Sequence, residues 1–141
     1  MSIENFASAQ WKGSLKEGGG TLSTRSGVLQ DTPYDFRRRF EGAEGTNPEE
    51  MIGAAHAGCF TMALSLVLGE AGYTPDSLDT QAKVTLDPDS LSVTAVHLTT
   101  VGRVPGADQA AFEEAANGAK GNCPISKLLK AEITLEATLE G

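Results

Sequence analysis

The sequence predicts an α+β fold, and three observations carry that prediction. The stretch from Pro48 to about Ala71 is apolar at helical spacing and has almost no charge between Glu50 and Glu70. Period-two runs flank it, at 6–13 and 21–25 on one side and at 80–86, 92–104 and 132–140 on the other. The strands come in groups and do not alternate one by one with helices, which separates this class from a parallel α/β sheet. The expected order is β-β-(β)-α-β-β-α-α-β, the bracketed strand being an extension of the first ribbon through 26–29. No internal repeat or linker is visible, so a single domain over 1–141 is expected.

Each element has a local reason. Phe6 to Gly13 alternates weakly, Gly18-Gly19-Gly20 reads as a turn, and Thr21 to Arg25 returns as the second strand of a hairpin. These glycines do not lead from a strand into a helix, which argues against a dinucleotide loop. Residues 30–47 hold Pro33, Gly42, Gly45 and charges of both signs, and read as a long connection with a short turn of helix over 34–40. A connection of that length in a compact domain is usually functional or disordered. The long helix opens on Asn47-Pro48-Glu49-Glu50, with a capping side chain, a proline where no N–H partner is needed, and negative charge in the first turn. Ile52, Ala55, Cys59, Met62 and Leu66 mark one apolar face. The other side (Ala54, Gly58, Ala63, Leu64, Val67) is hardly more polar, so burial on most sides is expected. Gly72 is the expected C-terminal cap.

Beyond it, 80–86 and 92–104 form a hairpin through Asp87-Pro88-Asp89-Ser90. Asp108 caps a helix whose apolar positions are Ala111, Phe112, Ala115, Ala116 and Ala119, and Gly121-Asn122 is expected to break it. Cys123-Pro124 opens a short helix. Glu132 to Glu140 alternates cleanly and closes the chain as a strand with one wet face.

Composition narrows the function classes. The 141 residues are 40 % hydrophobic, enough for a real core, and the net charge is −8 from 11 basic and 19 acidic residues. That balance disfavours nucleic acid or an anionic membrane as partner, and Arg37-Arg38-Arg39 is too short a basic cluster to reverse it. The start, Met1-Ser2-Ile3-Glu4-Asn5, lacks a basic and then apolar run, so no export signal and a cytoplasmic location are expected. The central apolar stretch is rich in Gly and Ala, is interrupted by His56, and starts deep in the chain, which argues against a membrane span.

Two cysteines without an export signal point to chemistry more than to scaffolding. Taken alone, Cys59 in an apolar helix reads as an inert core thiol. Cys123 follows Gly121-Asn122 and precedes Pro124, where a helix begins and free N–H groups favour a thiolate, although a plain core cysteine at a cap is the alternative. A mid-helix thiol gains little from the macrodipole, so activating Cys59 needs a cation from elsewhere. The buriable candidates are Arg37, Arg38 and Arg39, bracketed by Tyr34, Phe36 and Phe40. If that segment is extended, Arg38 faces one way with Phe36 and Phe40, and Arg37 and Arg39 face the other. A buried arginine needs a carboxylate, and Glu49 and Glu50 open the same helix. Glu49 lies about 15 Å along the helix from Cys59, so it can meet an arginine but not the thiol; first-turn capping is its plainer role. His56, one turn before Cys59, can serve as a base or sit in a core or interface. His97 reads as surface or interface and Trp11 as packing. No C-x-x-C or paired-histidine spacing supports a metal site, and no metal or cofactor is expected.

At these positions the chain resembles a known family. Asn47-Pro48-Glu49-Glu50, Ala54-Ala55-His56-Ala57-Gly58-Cys59 and Asn122-Cys123-Pro124-Ile125 resemble the OsmC/Ohr family of organic hydroperoxide resistance proteins, and most closely its OsmC branch. Thr24–Leu29, Arg39-Phe40-Glu41-Gly42, 64–72 and 129–135 look like that branch too, so the resemblance spans essentially the whole chain. It implies an intertwined homodimer in which curved sheets surround a long buried central helix and both subunits contribute to each site. It also implies a thiol peroxidase that reduces organic hydroperoxides, and hydrogen peroxide less well.

Residue by residue, Cys59 takes the place of the peroxidatic cysteine and Cys123 of the resolving one. Glu49 takes the place of the carboxylate that holds the catalytic arginine, and the OsmC-type arginine falls on Arg39. Arg38 remains open as an alternative, with Glu50 and His56 as further nearby candidates. Candidate substrate linings are Phe36, Phe40, Met51, Ile125 and Leu128. The implied partners are a second copy of the chain, an external dithiol reductant and an organic hydroperoxide. Two other classes stay open: a non-catalytic dimeric stress-response or ligand-binding protein, and a thiol hydrolase using Cys59.

Overall fold

The N-terminal hairpin is present and a third strand completes it. The computed structural model describes residues Met1–Gly141, and the chain divides into two units, Met1–Met51 and Ile52–Gly141. In the first unit β1 (Ala7–Lys12), β2 (Gly19–Thr24) and β3 (Thr32–Tyr34) form an antiparallel sheet in that order. The third strand is thus 32–34 and not the expected 26–29. Gly19 and Gly20 belong to β2 and not to the turn. A Cβ at Gly20 would lie 2.7 Å from both the Trp11 and the Tyr34 ring, so its absence lets those rings meet edge-on at 5.4 Å.

Asp35 then caps the short helix α1 (Phe36–Phe40), its carboxylate accepting from Arg38 N at 2.9 Å. The segment is therefore helical, as the turn over 34–40 predicted. The alternation that opposed Arg38 to Arg37 and Arg39 does not apply, and the Phe36 and Phe40 rings pack at a tilt one turn apart, 5.0 Å between centres. Helix α2 (Pro48–Glu70) has its expected cap, with Asn47 Oδ1 accepting from Glu50 N at 2.8 Å. Its end also matches: Gly72 is left-handed (φ +92°) and Tyr73 N–H returns to Leu68 O at 2.8 Å.

In the second unit β4 (Ser77–Asp87) pairs antiparallel with β5 (Ser92–Arg103), and β5 pairs parallel with β6 (Glu132–Leu139). A parallel neighbour requires a crossover. Helices α3 (Gln109–Asn122) and α4 (Pro124–Leu128) supply it. Asp108 caps α3 through a 2.8 Å bond from Ala111 N, as expected. The helix runs through the Gly121-Asn122 break and still takes the Cys123 N–H onto Ala119 O at 2.9 Å. Pro124 ends it, having no N–H to continue the ladder.

The core packs Phe60, Leu64 and Leu68 of α2 with Val96 and Leu98 of β5 and Phe112, Ala115, Ala116 and Ala119 of α3. The buried stripe of α2 is Gly53, His56, Phe60, Leu64 and Leu68. Within one chain only this stripe is buried, and the apolar face through Ile52, Ala55, Cys59, Met62 and Leu66 is a different one: Met62 is 77 % exposed and Leu66 63 %. Because α2 is apolar all round, its period points to no one side, and a three-stranded sheet covers only one stripe. By length and composition alone α2 is apolar enough to cross a membrane.

Candidate active site

Two pairs of side chains stand out, one in each unit. In the second, α2 presents Cys59 and the junction of α3 and α4 presents Cys123. Cys123 ends one helix and caps the next, its N–H bonding Ala119 O and its carbonyl accepting from Lys127 N–H. Its thiol is fully buried and lies 2.8 Å from Cys59 Sγ, with both cysteines reduced. Cys59 is half-buried and also receives the backbone N–H of Ile125, in the first turn of α4. The sequence reading aimed the start of this helix at Cys123; a donor there serves Cys59. Burial pushes the Cys59 thiol up, the hydrogen bond with Cys123 pushes the same way, and the Ile125 N–H pulls it down. None of these influences is a cation.

The first unit holds a formed ion pair. Arg39 Nε donates to Glu49 Oε1 at 2.9 Å and Nη2 to Oε2 at 3.0 Å, a fork-to-carboxylate match. The Glu49 side chain is 12 % exposed, which limits screening by solvent. The Glu49 carboxylate raises the Arg39 guanidinium above its ordinary value, mainly through these hydrogen bonds. Arg39 also lies 5.4 Å from the centre of the Phe40 ring.

The remaining candidates sort differently. Arg38 is committed elsewhere: Nη1 pairs with Asp35 and Nε donates to Glu44 O at 3.0 Å. It lies over Gly45, where a Cβ would come within 2.4 Å of its Nε. Arg37 makes only an exposed 3.7 Å contact with Glu41. Glu50 accepts from Thr46 Oγ1 at 2.8 Å. His56 does not bond a thiol. It is buried in the core with Nε2 2.7 Å from Ser126 Oγ. Of the candidate linings, Phe36 and Phe40 pack against each other, Met51 is half-buried, Ile125 packs against the core cluster, and Leu128 is 74 % exposed. His97 bonds Thr134 at 2.6 Å. No group of three or more His, Cys, Asp or Glu side chains comes together as a metal site.

Sequence reading missed Ser126, Asp35 and the Ile125 N–H. Asp35 was legible as a cap before an aromatic helix start. Ser126 was not, since it meets His56 across 70 residues of chain.

The fold and the thiol pair define a class: an α+β dithiol protein of OsmC-like topology. A family model described as OsmC-like protein matches residues 41–138. The chain is 53 % identical over 142 residues to the peroxiredoxin OsmC of Escherichia coli (strain K12), covering 99 % of each. It is 30 % identical over 122 residues to the organic hydroperoxide resistance protein OhrB of Bacillus subtilis (strain 168), covering 86 % of this chain and 89 % of that one. The structure of an OsmC-like protein of unknown function from Vibrio cholerae superposes with a TM-score of 0.75 at 20 % identity, over 96 % of this chain and 99 % of that one, a likeness of fold. The chain belongs to the OsmC/Ohr family, and its identities place it nearer OsmC than OhrB.

Proposed function

We propose that the chain is a homodimeric, thiol-dependent peroxidase that reduces organic hydroperoxides to alcohols. The observation that carries this reading is the 2.8 Å approach of the two reduced thiols, one half-buried and one fully buried, in a member of this family. The Cys59 thiolate attacks the distal oxygen of the hydroperoxide. The O–O bond breaks, the alkoxide leaves and takes a proton as alcohol, and Cys59 becomes a sulfenic acid. Cys123 then forms a bond to that sulfur as the hydroxyl departs as water, and an external dithiol returns the disulfide to two thiols. No cofactor is needed for any of these steps.

The thiolate and the developing oxygen charge call for a cation, and burial makes that need greater. We assign this role to Arg39. Its fork is held by both oxygens of Glu49, which limits the orientations it must lose on binding. Arg38 is less suited because Asp35 and Glu44 already occupy it. Phe36, Phe40, Met51, Ile125 and Leu128 are assigned as apolar linings that favour an organic group over hydrogen peroxide.

The uncovered side of α2 supports assembly with a second chain. Met62 and Leu66 are exposed, and Met62 lines an open groove of about 720 Å³ together with Ala57, Gly58, Thr61 and Leu78. A second copy is the proposed cover, in an intertwined dimer with curved sheets, acting as one OsmC-like domain per chain in the cytoplasm without contact to membrane or nucleic acid. Cys59→Ser should abolish consumption of cumene hydroperoxide, whereas Cys123→Ser should still allow one oxidation per site before stalling or over-oxidising. If the first oxidation lands on Cys123 in the Cys59→Ser protein, the two roles are reversed.

A further inference from the structure

Beside the thiol pair, a second contact joins α2 to the helix that follows Cys123. His56 is fully buried on α2, and its Nε2 meets Ser126 Oγ of α4 at 2.7 Å. Its Nδ1 is buried as well and has no partner. An unpaired buried ring nitrogen is costly, and an aliphatic side chain would occupy such a core position without that cost. Burial lowers the ring's affinity for a second proton and so favours its neutral form. The bond to Ser126 is the one polar interaction that offsets these losses.

That bond acts on a weak element. Helix α4 is five residues long and buries none of them fully, its apolar hold on the core being Ile125 and, at its C-cap, Leu129. Its ends are tied by Lys127 N–H to Cys123 O and Leu129 N–H to Ile125 O, both at 3.1 Å. A helix so short does not hold its own position. Yet it follows directly from Cys123 and carries the Ile125 N–H that faces Cys59.

We propose that the His56–Ser126 hydrogen bond is a positioning device for Cys123. It fixes α4 so that the resolving thiol stays against Cys59 and captures the sulfenic acid before a second hydroperoxide does. The inference rests on the roles assigned to the two cysteines above. Neither His56 nor Ser126 makes or breaks a bond. At the step concerned, the Cys123 sulfur bonds to the Cys59 sulfur, the S–OH bond breaks, and the hydroxyl leaves with the Cys123 proton as water. If Cys123 strays, a second hydroperoxide gives an oxygen to the sulfenic sulfur, leaving a sulfinic acid and an alcohol. The partition between disulfide and sulfinic acid therefore reads the placement of Cys123.

The test compares Ser126→Ala and Ser126→Thr in the full chain, with His56→Gln and His56→Leu as a second pair. Each folded variant receives cumene hydroperoxide, with dimedone trapping sulfenic acid and mass spectrometry counting sulfinic acid. Ser126→Ala should close the disulfide about five- to tenfold more slowly and accumulate both trapped and over-oxidised Cys59. Ser126→Thr, which keeps the hydroxyl, should restore closure, and His56→Gln should outperform His56→Leu. Closure by diamide, which links two thiols without hydroperoxide, is measured in parallel. If the wild-type chain ignores hydroperoxide while Ser126→Ala still slows diamide closure, the peroxidase reading fails and the positioning role of the bond stands. Closure of Ser126→Ala at the wild-type rate with both oxidants overturns the inference, as does an equal defect in Ser126→Ala and Ser126→Thr. Should the His56 variants not fold, the Ser126 pair decides alone.

Discussion

Replacing Arg39 by lysine is the sharpest perturbation of the proposed chemistry. Two N–H donors at 2.9 and 3.0 Å join Arg39 to both oxygens of a carboxylate that is 12 % exposed. Lysine keeps the charge but not the planar fork, so it cannot span Glu49 and also aim a donor at a peroxide oxygen. Losing one aligned charged donor in a transition state costs roughly 3 kcal/mol, about a hundredfold in rate. The pH profile should move too. The thiolate is the reactive and charged form, and burial already pushes the Cys59 thiol up. Weakening the cation's support therefore lowers the thiolate fraction at any given pH and shifts the rising limb of the rate to higher pH. Stopped-flow second-order rates with cumene hydroperoxide, from neutral to alkaline pH, measure both effects. Glu49→Gln should give an intermediate loss, about tenfold, since the arginine stays but is freed. Arg37→Lys should change little, because Arg37 has only its exposed contact with Glu41. Arg39→Lys at the wild-type rate beside an inactive Arg38→Lys would refute the assignment, and wild-type rates in all four variants would refute guanidinium activation altogether.

Three further outcomes are expected. Light scattering at micromolar concentration should give twice the 14.7 kDa chain mass, and Leu66→Glu, a charge on the uncovered face of α2, should shift the protein toward monomer; a wild-type monomer would overturn the assembly. Gly102→Ala should destabilise the second unit by about 1–3 kcal/mol, because its Cβ would lie 2.5 Å from the Phe112 ring, and an unchanged urea midpoint would show that the ring can withdraw. Burial holds the His56 imidazole below its ordinary value of 6.5, so the unfolded chain takes up that proton first as the pH falls. The contribution of His56 is therefore complete above 6.5 and is lost progressively below it. Melting temperature should drop between about pH 7 and about pH 5, and less so in His56→Gln; equal drops would place the effect elsewhere.

Much of this was legible because local chemistry and final structure agree. Asn47, Pro48 and Gly72 bound α2 as their side chains and backbone freedom dictate, and Asp108 caps α3 for the same reason. That an arginine of 37–39 would meet a carboxylate at the start of α2 was readable from a buried cation's need for a partner; that the pair is Arg39 with Glu49 was implied only by the family resemblance, and Arg39 is in fact exposed. The face of α2 was not readable. Leu64 and Leu68 are in the core and Met62 and Leu66 are not, although all four are equally apolar. The helical state of Phe36–Phe40 settled an arginine geometry that alternation had left open, and Asp35 was its overlooked cap. The parallel register of β6 on β5 and the His56–Ser126 bond depend on contacts far apart in sequence, which no local pattern encodes.

In the proposed reaction Cys59 and Cys123 of one chain act together on a hydroperoxide. Peptide mapping under non-reducing conditions, after one equivalent of cumene hydroperoxide, tests it most directly. The expected result is the loss of both free thiols, a mass lower by two hydrogens, one linked peptide pair containing Cys59 and Cys123 of the same chain, and full reversal by a dithiol. Two surviving thiols, or a disulfide found only between chains, would contradict it.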